Sequence, residues 1–141
     1  MGALVFAAAA ALGLAIYKLP IVHGWSPAEL HHSAHGPNVP LTPDVWGELV
    51  RTAGLARELL GSAPGCRVSS FYRSRETQLA LYKSLKQPPP TYNPHETGKC
   101  CDVAGPADEL ELVAANARAQ GVWKQVLWQV PLHFDHVHLG R

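Results

Sequence analysis

The chain has 141 residues, enough for one hydrophobic core and too few for a second catalytic domain. Its 12 basic and 11 acidic residues leave a formal net charge of +1 without any Lys/Arg run, which excludes the electrostatic footprint of a nucleic-acid binder; a small-molecule or peptide ligand is expected. Twelve Pro and 12 Gly in so short a chain predict long ordered loops, suited to a site assembled over a small sheet.

The first segment, Ala3 to Ile16, is unbroken, apolar and Ala-rich, closed by Tyr17-Lys18-Leu19-Pro20. It is shorter than the roughly 20 residues of a membrane span and closer to the apolar region of a signal peptide, although no Lys or Arg precedes it. Gly13-Leu14-Ala15 offers small residues for cleavage after Ala15. Residues 1–18 are therefore expected to export the protein or anchor it at the membrane, periplasm or cell envelope; the competing reading is a buried helix. Residues 19–40, rich in His, Gly and Pro and without periodicity, read as a linker or surface arm, in which His31, His32 and His35 are expected to be solvated.

The domain itself is expected over 41–141. Thr42 predicts an N-cap with Pro43 at the first helical position, and Trp46, Leu49, Val50, Ala53, Ala56 and Leu60 follow at helical spacing to a stop at Gly61. That stripe should pack on a sheet. Cys66 to Tyr72 alternates as a strand and delivers Arg73 at its end, and Glu76 to Leu85 reads as a short helix stopped before Pro88-Pro89-Pro90. An extended loop through Thr91-Tyr92-Asn93-Pro94 follows. Further on, Pro106-Ala107-Asp108-Glu109 suits a helix N-terminus, with Leu110, Leu112, Val113 and Ala117 continuing to a stop near Gly121. Val126 to Val130 reads as a buried strand with Trp128 in the core, and Pro131 to Phe134 as the turn that returns the chain to the sheet.

The chemistry lies in two clusters on either side of that second helix. The first is Pro94-His95-Glu96-Thr97-Gly98-Lys99-Cys100-Cys101-Asp102, and the second is Asp135-His136-Val137-His138. Gly98 lets the chain turn and Lys99 to Val103 can extend as a strand, which puts His95 on the entering loop and Asp102 on the strand. Strand alternation places His136 and His138 on one face, with Asp135 entering from the loop. One imidazole, one carboxylate and a second imidazole form a three-ligand set for catalytic zinc, with one coordination position left for water. A second carboxylate beside the metal can serve as base. Either cluster alone is more often hydrogen-bonded or solvated than metal-bound; their combination is the specific signal.

These residues resemble a known group, the zinc D-Ala-D-Ala carboxypeptidases and peptidoglycan L,D-endopeptidases of metallopeptidase family M15, which shares its fold with the hedgehog signalling domain. The family pattern Ser-x-His-x-x-Gly-x-Ala-x-Asp stands here as Asn93-Pro94-His95-Glu96-Thr97-Gly98-Lys99-Cys100-Cys101-Asp102, and its carboxylate-x-x-His ending as Asp135-His136-Val137-His138. Upstream, Val68-Ser69-Ser70-Phe71-Tyr72-Arg73-Ser74 is similar to the family's strand ending in Ser-Gly-Tyr-Arg-Ser, so the resemblance covers roughly Leu41 to Gly140. Carried over position by position, it implies His95, Asp102 and His138 as ligands of one Zn2+ ion and Asp135 as general base. It further implies Arg73 as the group that binds a substrate carbonyl or carboxylate, with His136 assisting. The implied function is zinc-dependent hydrolysis of an amide bond in peptidoglycan stem peptides. Asn93 in place of Ser and Cys100 in place of Ala depart from the pattern without removing a ligand; they put substrate preference in doubt.

The expected fold is α+β, a small antiparallel hedgehog-like sheet with helices packed mainly on one side and the metal at its open face. A monomer is expected. If the chain is exported, Cys66 with Cys100 or Cys101 can bridge neighbouring strands; the other reading is three buried thiols, and Cys100 stays open as a metal ligand. The remaining alternatives keep the zinc without the catalysis. One is a protein- or wall-binding module, as in the hedgehog branch, against which Asp135 and Arg73 together argue; the other has His136 as a fourth protein ligand.

Overall fold

The computed structural model describes residues 21–32, 41–89 and 94–141. The expectations for Ala3 to Ile16, for His35 and for Pro90 to Asn93 lie outside them.

Ser26 and Glu29 form a reciprocal capping box. The Ser26 hydroxyl accepts the Glu29 amide at 3.3 Å and the Glu29 carboxylate accepts the Ser26 amide at 3.0 Å, which sets up a single helical turn, α1 (Pro27–Leu30). It leads into β1 (His31–His32). Here the structure corrects the sequence reading. Trp25, Leu30 and His31 are buried, and the Trp25 ring meets Phe71 edge-on at 4.9 Å with the Arg57 guanidinium 3.8 Å over its face. His31 packs on the Tyr72 ring at 4.9 Å and is not solvated. Two large apolar side chains in a segment without periodicity are enough to dock it on the domain.

The long helix α2 (Pro43–Leu60) begins as predicted: Thr42 is extended, and its hydroxyl accepts the Val45 amide at 3.3 Å. Strand β2 (Arg67–Ser70) and the short β3 (Tyr72–Arg73) replace the single strand expected over Cys66 to Tyr72. The break has a physical cause. The register of β2 shifts between Val68 and Ser70, Phe71 turns its ring into the core, and its carbonyl is taken by His95 instead of a neighbouring strand. β3 then pairs in parallel with β1. Ser74 caps α3 (Arg75–Ser84), and a turn of 3-10 helix at Pro94–Thr97 carries His95.

Strand β4 (Cys100–Ala104), helix α4 (Ala107–Gln120), strand β5 (Gln125–Leu127) and strand β6 (His136–Gly140) complete the domain. α4 ends at Gly121, whose φ of 72° gives the left-handed C-terminal turn that glycine permits. β5 is shorter than predicted because Gln129 and Leu132 take positive φ and turn the chain away. The sheet order is β2-β4-β6-β5, antiparallel throughout. The α+β expectation therefore holds. Cys101 and Val103 of β4 and Val137 and Leu139 of β6 pack into one core with Leu49, Ala53 and Ala56 of α2 and Val113, Ala114 and Ala117 of α4. Trp128 belongs to the same core, its indole N–H donating to Glu111 at 2.5 Å. By strand alternation the intervening Asp102 and His138 face the other way.

No disulfide forms: Cys66, Cys100 and Cys101 are buried free thiols. Cys66 lies beside Gly105, beyond the Arg67 to Ala104 pair. Cys101 is the nearer partner, yet it sits four residues back along β4. At ~3.3 Å per residue that is roughly 13 Å, well past the ~7 Å Cα limit for a bridge. Among the described residues no helix is long and apolar enough to cross a membrane.

Gly98 is the backbone hinge between the His95 turn and β4. Its φ is +77°, and a Cβ there would lie 2.6 Å from the Val45 carbonyl oxygen and 3.0 Å from the Leu49 amide nitrogen, both in α2. Gly98→Ala is expected to cost about 2–4 kcal/mol in urea unfolding, because left-handed strain adds to a clash with helix backbone. A loss under about 1 kcal/mol would refute this account.

Candidate metal centre

The β4–β6 register sets Asp102 directly opposite His138, and the 3-10 turn brings His95 over them. All three side chains are buried, and their nearest ligand atoms lie within 4.8 Å of one another. Oδ1 of Asp102 is 2.9 Å from His138 Nδ1 and 3.4 Å from His95 Nε2. Tetrahedral ligands with metal bonds of about 2.0–2.1 Å stand roughly 3.3 Å apart, so the group is close to the spacing a zinc ion requires.

The outward ring nitrogens decide the tautomers. His95 Nδ1 is 2.7 Å from the Phe71 carbonyl oxygen, and His138 Nε2 is 3.3 Å from Gln125 Oε1. A carbonyl oxygen only accepts, so each outward nitrogen carries a proton. In the neutral rings the inward nitrogens then aim lone pairs at the Asp102 carboxylate, an arrangement that is favourable only with a cation between them, a proton or a metal ion. Burial alone would raise the Asp102 carboxyl, but hydrogen bonds from His138 and His95 and the charges of His95 and Arg73 hold it well below the usual carboxylate range. An ionised carboxylate and two imidazoles with supported outward N–H groups fit a divalent metal.

The other predicted residues gather around this group in different ways. Arg73, at the end of β3, donates through Nη2 to Oδ2 of Asp102 and through Nη1 to Gln78 Oε1 at 3.3 Å. Asp135 stands on the loop before β6 with its side chain 91% exposed. Its Oδ1 accepts from His136 Nδ1 at 2.6 Å, and that hydrogen bond lowers its carboxyl below the ordinary range. His136 is thus turned to Asp135 and stands apart from the three-residue metal group. Cys100 lies behind His138, Sγ 3.8 Å from the outward Nε2, with burial pushing its thiol far up. It buttresses the ligand and is not one of the three.

Sequence reasoning passed over Gln78, Gln125, His133 and the Phe71 carbonyl. The His133 ring lies between His136, tilted to it at 5.0 Å, and His138, edge-on at 5.6 Å, and its Nδ1 is 3.0 Å from the Pro131 carbonyl oxygen. Its spacing two residues ahead of Asp135 was a usable signal. The glutamines carried none, because only the packing of α3 and β5 brings them to the site. Gln125→Leu is expected to weaken zinc affinity about 10-fold by leaving the His138 tautomer unsupported, as read by competition with a chromophoric chelator. Unchanged affinity would remove Gln125 from the site.

The metal group, Arg73, Asp135, His133 and His136 all line one open cleft of about 900 Å³. Fold and site together define an α+β domain with a buried His-Asp-His group that can hold a metal ion at the base of a cleft. No protein-family model matches the chain, and comparisons with curated proteins and with solved structures return no significant match.

Proposed function

We propose that the protein is a zinc-dependent hydrolase of an amide bond in peptidoglycan stem peptides, a D-Ala-D-Ala carboxypeptidase or a related wall endopeptidase. The observation that carries this reading is the buried His95, Asp102 and His138 group opening on a cleft that also holds an exposed, ionised carboxylate, Asp135, and a guanidinium, Arg73. Zinc held by those three side chains would supply Lewis-acid polarisation of the amide carbonyl and bring the pKa of a water towards ~7.

The rest of the chemistry falls to the chain's own residues. Asp135, kept ionised and oriented by His136, accepts the proton of the attacking water and returns it to the leaving amine. Arg73, steadied by Gln78, is the cation for a substrate carboxylate or for charge developing on the carbonyl oxygen. The donors of His133 and His136 lie in the same cleft. The apolar stretch Ala3 to Ile16 suits export or anchoring of a monomer to the compartment where such a substrate is found.

One observation favours a second reading, a zinc-containing module that binds the cell wall or a protein without catalysis: the Arg73 guanidinium is engaged by Asp102. Mass spectrometry of peptidoglycan fragments incubated with the zinc-loaded protein separates the two and identifies the bond cleaved. The hydrolase yields a new amine and carboxylate in one stem peptide. Intact fragments, with zinc bound, would establish the binding module.

A further inference from the structure

The loop between β5 and β6 exposes three large apolar side chains, Val130, Leu132 and Phe134, and one of them stands in a conformation that its residue type resists. The His133 amide donates to the Val130 carbonyl at 2.8 Å, and the same two residues form an isolated antiparallel bridge. Within this turn Pro131 occupies the second position, and Leu132, in the third, has a φ of +70°. That is the pattern of a type II turn, whose third position belongs to Gly or Asn because a bulky L side chain is strained there. Core packing does not explain the choice, since Leu132 is 49% exposed. It lines the metal cleft, as does Phe134 at 61% exposure, with Leu81 of α3 and Leu85, the residue that caps its C-terminus, in the same lining.

We propose that Leu132 and Phe134, with Leu81 and Leu85, form an apolar subsite beside the metal centre, and that the substrate carries a side chain with a long aliphatic stem next to the amide presented to the metal. The inference rests on the metal-hydrolase reading and narrows its substrate. Leu132 and Phe134 bracket His133 and immediately precede Asp135, so a side chain seated on them lies next to the proposed base. Water around these exposed apolar groups is released when an apolar side chain covers them, and that release is the source of the selectivity. Cleavage beside a residue with a long aliphatic side chain meets this requirement; cleavage between two alanines does not.

The test uses hydroxamates as metal-directed probes, titrated calorimetrically into the zinc-loaded full chain. Leucine hydroxamate is expected to bind about 10-fold or more tightly than alanine hydroxamate, from the additional methylenes buried. Leu132→Asn should reduce that preference to near parity while zinc affinity is kept and the melting temperature holds or rises by about 3 °C, because Asn tolerates the left-handed turn. Leu132→Met should retain the preference. Equal affinities in the unmodified protein, or a preference that survives Leu132→Asn, would overturn the subsite and leave the metal centre standing. Failure of the chain to hold zinc would overturn the reading beneath it, and the subsite with it. A dimer in sedimentation that Leu132→Asn abolishes would assign the apolar patch to self-association and overturn the subsite.

Discussion

Asp102→Ala is expected to abolish stoichiometric metal binding and to cost about 3–5 kcal/mol of stability in the metal-free protein. The reason is that one buried carboxylate does two jobs. It is the anionic ligand of the metal group, and without metal it accepts from Arg73 and, where a proton takes the place of the metal on their inward nitrogens, from His95 and His138. Its removal leaves the Arg73 guanidinium largely buried with only the Gln78 carbonyl for a partner, while the two rings lose the acceptor that orients their inward nitrogens. Asp102→Asn separates the jobs: the shape and one carbonyl acceptor remain, so most of the fold stability should be kept, while loss of the anion should still lower zinc affinity by more than 10-fold. Urea unfolding and metal analysis of purified variants read the two effects independently. An Asp102→Ala protein that keeps one tightly bound zinc per chain would disprove the ligand assignment.

Asp135→Ala is expected to do the opposite: turnover falls by about 10²–10⁴-fold, as for the loss of a general base, while zinc content stays near one per chain. Stability should change by less than about 0.5 kcal/mol, because the side chain is 91% exposed and its one partner, His136, can turn to solvent. The contrast with Asp102 is diagnostic, since one carboxylate is buried against three donors and the other is open to the cleft. Full activity in Asp135→Ala would move the base elsewhere in the cleft, with His133 and His136 as the remaining proton acceptors.

The sequence was informative where a local rule operates. Thr42-Pro43 marks a helix start, Gly121 a helix stop and Gly98 a left-handed turn, each because a backbone requirement selects a residue type at one position. Alternation in β4 and β6 separates Asp102 and His138 from the core residues on either side of them. Alternation alone left His136 and His138 on one face; the resemblance, carried over position by position, implied His95, Asp102 and His138 as the metal group, and the structure brings those three side chains together.

Other features depend on what the chain folds against. The strand through Phe71 breaks because its carbonyl serves His95, and no pattern within Cys66 to Tyr72 announces that partner. The arm with Trp25 and His31 reads as surface until Phe71, Tyr72 and Arg57 are in place to receive it. A bridge from Cys66 was plausible on spacing alone and is excluded by register, which sets the cysteines at different heights along the sheet.

By itself, then, the sequence determined which residue types are available and which way each strand residue faces, because periodicity and backbone preference act over a few neighbouring positions. The tertiary structure alone decided the division of labour among like residues. His138 joins Asp102 and His95, whereas His136 turns to Asp135, and Gln125 and the Phe71 carbonyl hold the outward ring nitrogens. Those roles follow from hydrogen bonds between residues far apart in the chain, which exist only once β4, β5, β6 and the His95 turn have packed.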